Sequence, residues 1–189
     1  MFVLTLSSFG QSSQKELTGA IGLTFGSDRA TVKSILLTKG SYYEMNDINV
    51  LGFTEVSVGT RIAGAVLCNF VDNKLYRIIC SFEPSGNNTI KAQELYDNFV
   101  TILTAKYGRA SNSFRLFDYP FEDKSEDWDL ALESNKATID SFWFMPDKET
   151  GNCIILSIDN KFNVTIEYQC TDLMKIAIDR QKNKDNDAL

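Results

Sequence analysis

Two periodicities of apolar residues divide this chain. From Ser27 to Gly40, and again from Ile90 to Tyr107, apolar residues recur every three or four positions, the spacing that lines one face of a helix. In the first stretch Val32, Ile35 and Leu36 share a face. Ser27 is placed to cap it, Asp28 adds negative charge to the first turn, and Gly40 after Lys39 is a stop. In the second, Ala92, Leu95, Tyr96, Phe99, Ile102 and Leu103 form a wide stripe that Asn88 or Thr89 opens and Gly108 ends. A third helix is expected from Thr171 to Asp179, with Leu173, Ile176 and Ala177 facing inward and a frayed tail after it.

Elsewhere the pattern shortens toward the two-residue period of strands. Tyr42–Met45, Leu51–Val58, Arg61–Phe70 and Leu75–Phe82 read as four strands, and Gly59-Thr60 fits a type II′ hairpin. In the second half, Ser113–Tyr119 reads as an extended lead-in. Trp128–Glu133, Ala137–Met145, Cys153–Ile158 and Phe162–Cys170 read as strands, with turns at 134–136 and from Pro146 to Asn152.

One stretch occurs twice in near copy. Phe70-Val71-Asp72-Asn73-Lys74-Leu75-Tyr76 returns as Ser157-Ile158-Asp159-Asn160-Lys161-Phe162-Asn163, and 159 − 72 gives an offset of 87 residues. Asp and Asn tolerate left-handed backbone and bond their own main chain, so both copies read as hairpin tips. With the order of elements, the repeat predicts an α+β fold of two related units. Each is a helix plus a four-stranded antiparallel meander, with the helices on one face of the sheets. The units span 21–108 and 109–180, with an N-terminal segment 1–20 before them and a polar tail 181–189 after. Centring each turn on its Asn pairs Cys68 with Ile78, Cys80 with Val66 and Cys153 with Glu167.

Tandem units of this kind resemble the β-lactamase-inhibitor-protein-like architecture, shared with the small outer-membrane assembly lipoproteins. Phe25-Gly26-Ser27-x-x-x-Thr31-Val32 is similar to the glycine, cap and valine that open the first helix of those units. Phe70-x-Asp72-Asn73-Lys74-Leu75 resembles their strand, turn and strand. The proline that usually follows their helix is missing at Gly40-Ser41 and at Gly108-Arg109. The resemblance implies a non-enzymatic binding or scaffolding role, and no inhibitor contact motif carries over.

Composition narrows the function classes. The chain has 189 residues, 43% of them hydrophobic and 23% charged, enough for an ordinary core without staples. No apolar run reaches the length of a membrane-spanning helix. A formal charge of −6 with scattered Lys and Arg offers no basic footprint for a phosphate backbone, so nucleic acid is not an expected partner. Histidine is absent, which removes the commonest general base and the commonest metal ligand. No phosphate-cradling, dinucleotide-binding or nucleophile-elbow motif occurs. No cofactor, metal or catalytic residue is therefore assigned.

Met1 to Gln11 has a short apolar core followed by small residues, like the back end of a secretory signal, but lacks a basic start. Export to the periplasm or outside the cell is the expectation, with a cytoplasmic location the alternative. The even set Cys68, Cys80, Cys153 and Cys170 permits disulfides, yet the centred hairpins leave Cys68 and Cys80 only diagonal neighbours. Buried free thiols are the preferred reading.

Two surface features could carry function. The acidic run from Asp118 to Asp129 lacks the ligand order of a calcium loop and reads as a solvated loop. Asp127, Asp129 and Glu133 would serve an enzyme of the glycoside-hydrolase kind. The aromatics point elsewhere: Phe142-Trp143-Phe144 places rings on both faces of one strand. An outward Trp would suit a protein partner. Trp128, Trp143, Tyr42 and Tyr43 are the candidate partner-facing residues. The expectation is a binding, inhibitory or scaffolding module working through an open sheet face. Its rivals are a hydrolase with an acidic site and a cytoplasmic immunity-type protein.

Overall fold

The computed structural model describes residues 16–123, 126–145 and 151–187, with side chains through 183. The signal-like segment of Met1 to Gln11 and most of the turn from Pro146 to Asn152 lie outside the described residues.

A small antiparallel pair, β1 (Gly19–Ala20) and β2 (Leu23–Thr24), precedes the first helix, α1 (Arg29–Leu37). The cap of α1 is Asp28 and not Ser27. Thr31 donates its backbone N–H to Asp28 Oδ1 at 2.9 Å and its hydroxyl to Oδ2 at 2.8 Å, and these bonds hold the Asp28 carboxyl below its ordinary pKa. Four strands follow: β3 (Ser41–Tyr43), β4 (Val50–Val58), β5 (Arg61–Val71) and β6 (Lys74–Phe82). The long helix α2 (Thr89–Tyr107) is capped by Asn88, whose side chain accepts from Lys91 N at 2.9 Å. Then come β7 (Asn112–Phe117), α3 (Trp128–Glu133), β8 (Ala137–Phe144), β9 (Cys153–Ile158), β10 (Val164–Gln169) and α4 (Thr171–Asp187).

The fold is α+β with an antiparallel sheet, but the expected pair of helix-plus-meander units is corrected. All eight longer strands form one sheet in the order β3-β4-β5-β6-β10-β9-β8-β7. The last strands of the two meanders, β6 and β10, pair along six residues, Phe82 with Val164, Cys80 with Ile166 and Ile78 with Tyr168 among them. Their inward side chains therefore belong to one hydrophobic core. Nor do the helices share a face. Helices α1, α2 and α3 bury Val32, Leu36, Phe99 and Trp128 in that core. By contrast, α4 packs on β5 and β6 and meets Asn69, which points to the other face, around a polar depression.

Two element assignments change as well. Residues Trp128–Glu133 are a helix, because Trp128, Ala131 and Leu132 are the buried positions, a three- and four-residue spacing that a strand cannot turn to one side. The lead-in at 113–119 is instead the outermost strand of the sheet. The last helix continues through Asp187, beyond the expected end at Asp179.

The two copies of Asp-Asn-Lys adopt different turns. In the first, Asp72 and Asn73 both lie in the left-handed region (φ 50° and 60°) between the paired Val71 and Lys74, as a two-residue hairpin requires. A register shift at Asn69/Phe70 then sets Cys68 opposite Ile78 and Val66 opposite Cys80. In the second, Asp159 Oδ1 accepts from both Lys161 N and Asn163 N at 2.8 Å, and Phe162 takes the positive φ. That longer loop moves the register by two, so Cys153 faces Gln169 and not Glu167. All four cysteines are free and buried.

The sheet's two faces differ sharply along β8. Trp143 is 0% exposed and donates its indole N–H to Gly108 O at 2.9 Å, whereas Phe144 is 49% exposed. Trp143→Ala is expected to cost about 3–5 kcal/mol and Phe144→Ala less than about 0.5 kcal/mol. Urea denaturation of the two variants measures both, and comparable losses would contradict this orientation.

Candidate functional site

The cross-strand registers order the face opposite α1, α2 and α3 into rows, with α4 covering part of it at β5 and β6. One row runs Tyr43, Gly52, Leu67, Ile79, Glu167, Ile155, Phe142 and Asn112. Beside it, a second holds Asn69, Arg77, Gln169, Cys153 and Phe144, and on the other side a third holds Ala65, Ser81, Thr165, Ser157, Asp140 and Phe114. Most of these side chains are half-buried, as neighbours on a sheet shield one another while the face stays open.

Three zones follow from these rows. At the centre, Arg77 pairs with Glu167: Nη2 donates to Oε2 at 2.5 Å, and Nε lies 2.5 Å from Oε1 in the ion pair without a hydrogen bond of its own. Gln169 also donates to Glu167 Oε1, and Cys153 Sγ donates to Gln169 Oε1 at 3.3 Å. The charge-assisted bond from Arg77 and the bond from Gln169 together hold the Glu167 carboxylate in place. Burial pushes the Cys153 thiol up to about 11, which makes it a poor nucleophile. Toward the β3 edge lies a smooth zone, where Tyr43 covers Gly52. A Cβ on Gly52 would sit 2.5 Å from the Tyr43 ring, so only glycine lets that ring lie on the strand.

The third zone is apolar and lies on β7, β8 and β9. Phe142 packs edge-on against Phe114, centroids 5.9 Å apart, and stacks with Phe144 at 6.0 Å. Ile155 sits opposite Phe142, and Leu116 extends the patch along the edge strand, 56% exposed. Asp140 lies between Phe114 and Ser157 in the register, and its surroundings strip water from the carboxyl and raise its pKa. It is a single raised carboxyl. Glu167 is committed to Arg77, and among the described residues no group of three or more potential ligands could hold a metal.

The sequence-predicted residues fall mostly elsewhere. Trp128 and Trp143 are buried, which corrects their assignment as partner-facing. Trp128 packs on Phe117 with centroids 4.1 Å apart beneath α3, and Trp143 lies under the end of α2. Tyr42 is half-buried on the helix side, edge-on to Phe53 at 5.5 Å and covered by Lys33 Nζ 3.9 Å from its ring. Of the four, Tyr43 alone shares the open face. The residues missed are Phe114, Phe142, Phe144 and Leu116. Their signal was present in parity: Thr138 and Asp140, polar, alternate with Ile139 and share the side of Phe142 and Phe144. Asp127 precedes α3, Glu133 is its last residue, and Asp129 in its first turn accepts from Thr89 N at 2.8 Å, so this carboxylate ties two helices together.

Several depressions lie around the described residues, and two of them sit beside hydroxyl or charged groups of interest. One of about 390 Å³ lies between α2 and β7, beside the chain Tyr96 Oη to Ser141 Oγ (2.7 Å) to Ser113 Oγ (2.8 Å). Burial pushes Tyr96 up to about 12, so it stays a neutral donor and cannot serve Ser141 as a base. The other, about 210 Å³, lies beside α4, where Arg180 pairs with Asp72 at 2.5 Å. No described helix is long and apolar enough to cross a membrane. No family model, curated protein or solved structure matches the chain, so this face is interpreted from its own geometry.

Asp140 generates a pH test. Its raised folded pKa means that, relative to the unfolded chain, its stabilising contribution is full below the ordinary carboxylate range and is lost as pH rises through the folded value. Asp140→Asn, which mimics the protonated form, should raise the melting temperature at pH 7 and leave it unchanged near pH 3. A loss of stability at pH 7 would show that the charged carboxylate has a partner.

Proposed function

We propose that this chain is a non-enzymatic binding module whose protein partner docks on the open sheet face. The observation that supports this most is the ring cluster of exposed Phe114 and Phe144 packed on half-buried Phe142, beside Ile155. Aromatic side chains on a rigid scaffold are the residues that dominate protein interfaces. The Arg77–Glu167 pair next to them is already neutralised and hydrogen-bonded, so a partner covering it need not strip two unpaired charges. A flat protein surface with an apolar anchor fits this arrangement better than a small substrate, which wants a concave site. The likeness of Phe25-Gly26-Ser27 and Phe70 to Leu75 to inhibitor-like units favours inhibition or scaffolding as the kind of binding. The apolar segment near Met1 favours export.

Affinity capture from the source cell, with the protein as bait, tests the proposal. Phe144→Asp should weaken capture of the partner at least about thirtyfold, the loss of a hot spot worth about 2 kcal/mol, with the fold unchanged by circular dichroism. Equal capture by both forms would overturn the proposal. So would turnover of a small substrate that Asp140→Asn abolishes.

A further inference from the structure

On the helix side of the sheet a line of hydroxyls runs out of the core. Ser141 takes an inward position of β8 between Ile139 and Trp143, both fully buried, and is itself 2% exposed. An apolar residue there would bring no polar group to satisfy. The Ser141 hydroxyl accepts from Tyr96 Oη of α2 at 2.7 Å and lies 2.8 Å from Ser113 Oγ of β7. Ser113 stands opposite Ser141 in the ladder, and Arg115 stands opposite Ile139, so both face the helix side.

Burial sets the direction of the protons along this line. Tyr96 is 3% exposed and keeps its phenol proton, which goes to Ser141. Ser141 has one proton of its own, and among the described residues Ser113 is the acceptor left for it. Reversing the line would leave the Tyr96 proton buried without an acceptor, a costly arrangement. Ser113 is therefore the outlet. It is exposed, lines the depression of about 390 Å³ between α2 and β7, and no described group accepts its proton. The two hydroxyls behind it polarise it and strengthen it as a donor. Arg115 lines the same depression and reaches Asp97 through one nitrogen at 3.4 Å, so most of its N–H donors are uncommitted. Val100 of α2 adds an apolar wall. A planar guanidinium fork beside one hydroxyl matches the two oxygens of a carboxylate, and Val100 suits a short hydrocarbon next to it.

We infer that the depression between α2 and β7 binds a small aliphatic carboxylate, held by Arg115 and by the Ser113 hydroxyl. Asp97 is the intramolecular competitor that this ligand displaces from the guanidinium. The site lies on the helix side of the sheet, so it stands or falls separately from the docking of a protein on the open face.

Titration of the isotope-labelled full chain with sodium butyrate at constant ionic strength, followed through its amide resonances, tests the site. Saturating shifts should be confined to α2 around Asp97 and Val100 and to β7 around Ser113 and Arg115, and sodium chloride should produce none of them. Arg115→Gln should abolish saturation, and Ser113→Ala should weaken binding about tenfold through the lost bond to a charged group. Asp97→Asn releases Arg115 and should tighten binding about threefold or more, a gain that a folding defect cannot mimic. Glu94→Gln, the same change of charge one turn away, should leave the affinity unchanged. Shifts that rise without saturating or that chloride reproduces, binding untouched by Ser113→Ala, or an Asp97→Asn variant no tighter than Glu94→Gln would overturn the inference.

Discussion

The pairing of β6 with β10 is the contact on which the rest of this structure depends. It is the seam at which the two meanders become one sheet, and it aligns Phe82, Cys80 and Ile78 with Val164, Ile166 and Tyr168 on the covered side. The same register places Arg77 and Glu167 on the other side, where they form the polar centre of the open face. Without the seam each half would own a four-stranded sheet with a further bare edge, which natural sheets avoid. With it, the two halves share a core and, among the described residues, the sheet ends in two outer strands, one short and one long.

Much of this was legible in the residues. The helical stripes over Val32 to Leu36 and Ala92 to Leu103, the strands either side of Asp72-Asn73 and the diagonal placement of Cys68 and Cys80 all follow from local period and turn chemistry. The seam was not legible. The apolar residues on both parities of 62–68 and 75–80 do mark β5 and β6 as central strands, but which strands of two meanders meet is a long-range choice, and nothing in the pattern of Ile78 or Ile166 names the other as its neighbour. Nor was the helix at Trp128: six residues with apolar positions 128, 130, 131 and 132 fit either period, and tertiary packing decides between them.

The candidate site shows the cost of ranking residues by type ahead of parity. Trp143 is the larger hot-spot residue by type, but it shares parity with Ile139, and that side of β8 goes under the helix. Its neighbours Phe142 and Phe144 share parity with Thr138 and Asp140 and take the open side. A strand that is polar on one parity and ends in rings on that same parity exposes those rings. The duplicated Asp-Asn-Lys gives a similar lesson, since equal tripeptides form a two-residue turn in one place and a longer loop in the other. Flanking residues, not the tripeptide, fix the register.

The seam also makes the protein one cooperative unit, because neither half has a core of its own. Native-state amide hydrogen exchange with increasing denaturant tests this most directly. The account predicts that amides of Ile78 to Phe82 in β6 and of Val164 to Tyr168 in β10 exchange together, at the free energy of global unfolding. Separate exchange of the two strands at clearly different free energies, with one meander opening while the other stays closed, would contradict it.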